Sequence, residues 1–219
     1  MKMTNISVKA VEQLRNRITN LKGVQSVEKI GIVNTLIECV RFKHASIGDM
    51  VLRRLTSADG PGLFDFYLKG LSETSRNHFP PYPLFDTTPE SAGELTRRIK
   101  NWEIEDDWTV LKLEKDGNLV GICLLKRYRT DQASSGLAVR EEFQKQGLGT
   151  ILQTIITEQA HMLGLKRLHI TLAENNASSL QVHLKSGFKR TGRLVPHYRQ
   201  KDGVSELDRH DIEMVIEFE

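Results

Sequence analysis

Cysteine is scarce in this chain. Its 219 residues hold two, Cys39 and Cys123, and neither stands in a CxxC pair or at any other metal-ligand spacing. That excludes a disulfide framework and argues against a zinc site, so no metal is expected. Cys123 lies within the apolar run Leu119–Leu125 and reads as a small buried hydrophobe in a strand. Long apolar runs are missing too. No segment approaches the ~20 apolar residues that span a bilayer, and the N-terminus shows no apolar signal region. The expected location is the cytoplasm, with no membrane partner. An excess of one charge is also lacking: 31 Lys and Arg stand against 28 Asp and Glu, for a net +3. The densest basic stretch, Lys126-Arg127-Tyr128-Arg129, reads as a solvated strand end, so nucleic acid is not an expected partner. What remains, 39% apolar and 27% charged, is the composition of a soluble globular protein.

Two regions differ in pattern. Residues 1–48 carry apolar residues at three- and four-residue steps: Val11, Leu14, Ile18 and Leu21, then, after Gly23, Val24, Val27, Ile30, Val33, Leu36 and Val40. The spacing predicts two helices, with a strand left open for the second segment by Gly31 and its β-branched content. These stripes need a partner, either the main domain or a second copy in a homodimer. From residue 49 to 219 strands and helices alternate. Met50–Leu55 reads as a strand. Thr56 or Ser57 is a candidate cap for a helix to about Leu71. Residues 72–90, with Phe79, Tyr82 and Phe85 among several prolines, read as a long binding loop. A helix is expected over Ser91–Trp102, then two strands, Trp108–Leu113 and Leu119–Leu125, joined by the hairpin turn Asp116-Gly117-Asn118. Further on come a helix from about Leu148 to a C-cap at Gly164, a strand over Leu168–Leu172, a helix capped by Asn175 or Asn176, and two last strands near Phe188–Val195 and Ile212–Phe218. The fold class is a mixed α/β sheet with helices on both faces.

The segment Gln144-Lys145-Gln146-Gly147-Leu148-Gly149-Thr150 stands between the strand Ser135–Arg140 and the helix that follows. A glycine-bearing loop leading into a helix N-terminus is a site for phosphate: its amides point at the anion and the helix dipole adds roughly half a positive charge. No Gly-Lys-Ser/Thr follows, so it is not a Walker loop, and the three-glycine dinucleotide pattern is missing. About 25 residues later come Asn176, Ser179 and His183, closed by Gly187-Phe188.

This ordered set closely resembles the GCN5-related N-acetyltransferase (GNAT) family. Gln144, Gly147 and Gly149 match its Arg/Gln-x-x-Gly-x-Gly/Ala motif, and Asn176, Ser179 and Gly187-Phe188 match its second half. The resemblance covers about residues 50–219 and implies a mostly antiparallel twisted sheet, splayed between its fourth and fifth strands. It further implies acetyl-CoA as donor, with the pyrophosphate on the amides of Gln144–Thr150 and the Thr150 hydroxyl. Pantetheine would pair with Leu137, Ala138 and Val139 on a bulged strand, and an amide of Ala138 or Val139 would face the thioester oxygen. The family's usual Tyr falls at His183, a candidate general acid or a wall residue. Glu174, ahead of Glu141 and Glu142, is the candidate base. Residues 72–90 would cover the acceptor, and the acidic run Glu103, Glu105, Asp106 and Asp107 either attracts a cationic amine or is a solvated turn. The expected activity is acetyl transfer to a primary amine of a small molecule or protein. The other reading, given the replacement at His183, is a weak or silent acetyl-CoA sensor.

Overall fold

The computed structural model describes residues 8–79, 88–104, 107–201 and 204–218. Nine strands form one sheet in the order β1-β2-β3-β4-β5-β6-β7-β9-β8. They are β1 (Val24–Val33), β2 (Leu36–His44), β3 (Gly48–Arg54), β4 (Trp108–Lys115), β5 (Asn118–Lys126), β6 (Ser134–Val139), β7 (Arg167–Ala173), β8 (Lys189–Lys201) and β9 (Val204–Glu217). The helices are α1 (Val8–Thr19), α2 (Gly60–Asp65), α3 (Glu73–His78), α4 (Ala92–Ile104), α5 (Leu148–Met162) and α6 (Ala177–Lys185). All neighbouring strands are antiparallel except β6 and β7, which run parallel and meet at one pair, Ser134 with His169. Beyond that point the two strands diverge. β6 and β7 are the fourth and fifth strands counted from β3, so the expected splay is present.

Two apolar layers cover the sheet. One contains Leu14 and Ile18 of α1 and Leu148, Ile151, Leu152, Ile155 and Ile156 of α5. The other contains Leu63, Phe66 and Tyr67 around α2 and Leu95, Ile99 and Trp102 of α4. The helix expected from Thr56 to Leu71 is a succession of shorter pieces: a 3-10 turn, α2, and a π turn over Phe66–Gly70. Thr56 and Asp59 form its capping box. Part of the expected 72–90 loop is helix α3, capped by Ser72. Tyr82 and Phe85 lie outside the described residues, as do Glu105 and Asp106. Glu103 accepts the Ser57 N–H at 3.0 Å, which ties α4 to the β3–α2 connection. The last two strands extend into a long hairpin, with β8 paired to β9 from Lys189 to Lys201.

Residues 24–44 are a hairpin, not a second helix. Three register irregularities interrupt the β1–β2 ladder, at Val24/Ser26, Val27/Lys29 and Gly31/Ile32. Each bulge inserts one extra residue, so the inward face recurs every third residue locally instead of every second. That produces the helix-like spacing of Val24, Val27 and Ile30. The turn, Asn34-Thr35, has both residues at positive φ. This is the turn geometry favoured by two-residue hairpins, reached without the usual glycine. The hairpin adds two strands to the sheet and is fastened to α5. Buried Gln159 accepts the Ile37 N–H at 2.6 Å and donates to the Thr35 carbonyl at 2.7 Å. Arg17 of α1 pairs with the buried Glu158. The apolar stripes therefore find their partner within the same chain.

Candidate active site

A cleft of about 1330 Å³ opens where β6 leaves β7. Backbone alternation decides what β6 offers it. Arg140 donates to the Val120 carbonyl on the β5 side, and Ala133 accepts from His169 on the β7 side. Successive residues point their backbone groups to opposite edges, so Ala138 turns its N–H and C=O toward β5. Leu137 and Val139 turn theirs toward the splay, where β7 does not pair with them. The Val139 amide, of the two expected, is the one that faces the cleft. No register shift interrupts β5–β6, so the expected bulge is not seen in that ladder.

The loop Gln144–Thr150 follows. Gln144 donates from Nε2 to the Val139 carbonyl at 3.0 Å, so its side chain ties the loop to the strand edge. Gln146 donates to the Glu142 carbonyl at 3.2 Å. Lys145 and Gly147 both have positive φ, and Gly147 is the N-cap of α5. A Cβ on Gly147 would come within 2.9 Å of the Lys22 carbonyl, so glycine is required there by conformation and by space. Gly149 and Thr150 line the cleft, while Leu148 is buried beneath it. Opposite, Asn176 caps α6 by accepting the Ser179 N–H at 3.0 Å, and Asn176, Ser179, Val182 and Lys185 face the cleft.

The catalytic candidates fall differently. His183 is 4% exposed and does not line the cleft. Its Nδ1 lies 2.8 Å from the Ser179 carbonyl and its Nε2 3.1 Å from Gln153 Oε1, with the ring edge-on to Phe188. Burial depresses its pKa to about 4, against a smaller upward pull from the Ser179 carbonyl. At neutral pH that shift favours the neutral ring, which has one N–H and so donates to the Ser179 carbonyl or to Gln153, not to both; Gln153 links it to Ser135 and Thr157. Glu174 is exposed on the β7–α6 turn and is not a lining residue. Glu141 does line the cleft. Burial works to raise its carboxyl, but hydrogen bonds from Ser75, Ser72 and Gln144 outweigh it and hold the group below the usual carboxylate range. An ionised, well-bonded carboxylate is a poor proton acceptor.

The family model for an acetyltransferase (GNAT) domain matches residues 49–189. The chain belongs to the GNAT acetyltransferase family. Solved structures share the fold of this GNAT protein. A GNAT-family acetyltransferase from Streptococcus pneumoniae is 19% identical, with a TM-score of 0.60 over 78% of this chain and 99% of that one. Spermidine N-acetyltransferase from Vibrio cholerae, in complex with CoA and spermine, is 18% identical, with a TM-score of 0.61 over 77% and 95%. Ribosomal-protein-S5-alanine acetyltransferase from Vibrio fischeri is 13% identical, with a TM-score of 0.61 over 77% and 92%. No curated protein sequence matches the chain.

Sequence reasoning missed part of this GNAT cleft. From the segment expected to cover the acceptor, Phe79 lines it as expected, and Leu71, Ser72, Thr74, Ser75 and His78 line it beside Phe79. His78 Nε2 stands 3.2 Å from Asn175 Oδ1, bridging α3 to the β7–α6 turn. The pattern of residues 72–90 pointed to the region but not to His78, which has no motif around it. Among the described residues no group of three or more His, Cys, Asp or Glu is placed to hold a metal.

Proposed function

We propose that the protein transfers an acetyl group from acetyl-CoA to a primary amine. The observation that carries this reading is the pairing of an unpartnered β6 edge with the phosphate loop in one cleft. Among the described residues no strand pairs with the edge at Leu137 and Val139; the Val139 carbonyl is taken by Gln144, and the Leu137 groups and the Val139 N–H suit the amide-rich pantetheine arm. The loop amides and the α5 dipole suit the pyrophosphate. With the arm seated on that edge, the Val139 N–H is the donor for the oxyanion formed as the amine attacks the thioester carbon. The C–N bond forms, the C–S bond breaks, and the sulfur leaves as thiolate.

Proton handling does not run through His183, which is neutral and turned into the core. The acceptor ammonium sheds two protons: one goes to the base before attack, and the other, released as the C–N bond forms, goes to the thiolate directly or through a relaying water. His78, which lines the cleft, is the base: donation from Nε2 to Asn175 leaves Nδ1 as the ring's acceptor. The relatives that act on spermidine and on a ribosomal protein set the two acceptor classes worth comparing, a polyamine and a protein N-terminus. The test is thiol release from acetyl-CoA with polyamines and with N-terminal and lysine peptides. Turnover on one class is expected, with His78→Ala lowering kcat by roughly 10²-fold. Tight CoA binding with no turnover on any amine would support the sensor reading instead.

A further inference from the structure

Residues ahead of the family domain wall the cleft. The family model begins at residue 49, yet Leu21, Lys22 and Gly23 from the α1–β1 turn and His44, Ala45 and Ser46 from the β2–β3 turn line the same cavity as the phosphate loop. The two turns are joined, since Ala45 donates to the Gly23 carbonyl at 2.7 Å. Gly23 lies against the His44 ring so closely that a Cβ there would reach within 2.3 Å of Nε2. Both turns then grip the loop. His44, 2% exposed, donates from Nε2 to the Gln146 carbonyl at 3.0 Å, with its Nδ1 3.3 Å from the Ser46 amide. Ser46 donates from Oγ to Gln146 Oε1 at 3.2 Å. The Lys22 carbonyl sits over Gly147. Tying up the Gln146 carbonyl fixes that peptide, so its oxygen is held away from any anion on the loop.

Charge completes the picture. The lysines lining the cleft are Lys22, Lys145 and Lys185, and Glu141 is the carboxylate among the described lining residues. Among the described residues no ion pair involves these three lysines, and Lys22 is exposed. Three lysines from three segments lining one cleft with the glycine loop favour a ligand with several phosphates.

We infer that the segment 21–46 is part of the donor site: Lys22 binds the phosphate-bearing half of the acyl-CoA, and His44 positions the loop that receives it. This rests on the proposed function. The test is calorimetric titration with CoA of the wild type, Lys22→Gln and Lys22→Arg, alongside turnover of acetyl-pantetheine, a donor without phosphates. Lys22→Gln is expected to weaken CoA binding roughly 10-fold, the scale of a hydrogen bond to a charged group. Lys22→Arg restores most of it, melting temperatures stay level, and kcat/KM with acetyl-pantetheine is unchanged. Unchanged CoA affinity in Lys22→Gln overturns the inference while leaving the proposed function standing. An equal loss of kcat/KM on acetyl-pantetheine also overturns it, because the effect would then not depend on phosphate. A wild type that binds no CoA removes the proposed function itself.

Discussion

Burial fixes the protonation state of His183, and with it a pH dependence of stability. The unfolded ring titrates near ~6.5, whereas the folded ring is held at about 4. Above 6.5 both states are neutral. As pH falls through that value the unfolded chain takes up a proton that the folded chain refuses, so stability drops, by about 2 kcal/mol at pH 5, and goes on falling until the folded value is passed. In His183→Phe this component disappears. The difference in melting temperature between wild type and variant should narrow from pH 7 to pH 5, and a constant difference would refute the buried neutral ring. At neutral pH the variant should keep kcat far better than the roughly 10²–10⁴-fold loss of a removed general acid. The motif position of His183 was readable from the sequence. Its inward turn was not, because that depends on Gln153 of α5, Ser135 of β6 and Phe188 of the α6–β8 turn. Gln144, Asn176 and Ser179 were easier to place, since their partners are within five residues.

At the scale of elements, α5 does two jobs. Its N-terminus ends the phosphate loop, and its far side carries Gln159, the clamp on the β1–β2 turn. Gln159→Leu keeps the volume and removes both bonds, leaving the Ile37 N–H and the Thr35 carbonyl without that partner. A loss of about 2 kcal/mol is expected in urea unfolding. A loss under about 0.5 kcal/mol, the level of an ordinary surface change, would mean the clamp contributes little. The strands from β3 to β7 were legible because each is a short β-branched or apolar run bounded by turns, and the Asp116-Gly117 turn is a strong signal. β1 and β2 were not. Their bulges shift the period toward three, and Asn34-Thr35 places a β-branched residue at positive φ, a position where sequence patterns lead one to expect glycine. The fragmented helix around α2 was likewise hidden, because its π turn is set by tertiary packing of Phe66 and Tyr67.

For the molecule as a whole, the N-terminal segment is continuous with the sheet, through six β2–β3 pairs from Cys39–Arg53 to His44–Gly48. The sheet would otherwise end at β3, exposing its hydrogen-bonding edge. The same strands carry the two turns to the phosphate loop, so the architecture that closes the sheet edge also walls the cleft. If this cleft seats an acyl-CoA, calorimetric titration of the wild-type protein with CoA will show it. One site per chain is predicted, with a melting temperature that climbs with CoA concentration, as it must for a ligand that binds only the folded state. No heat of binding and no thermal shift at millimolar CoA would contradict it.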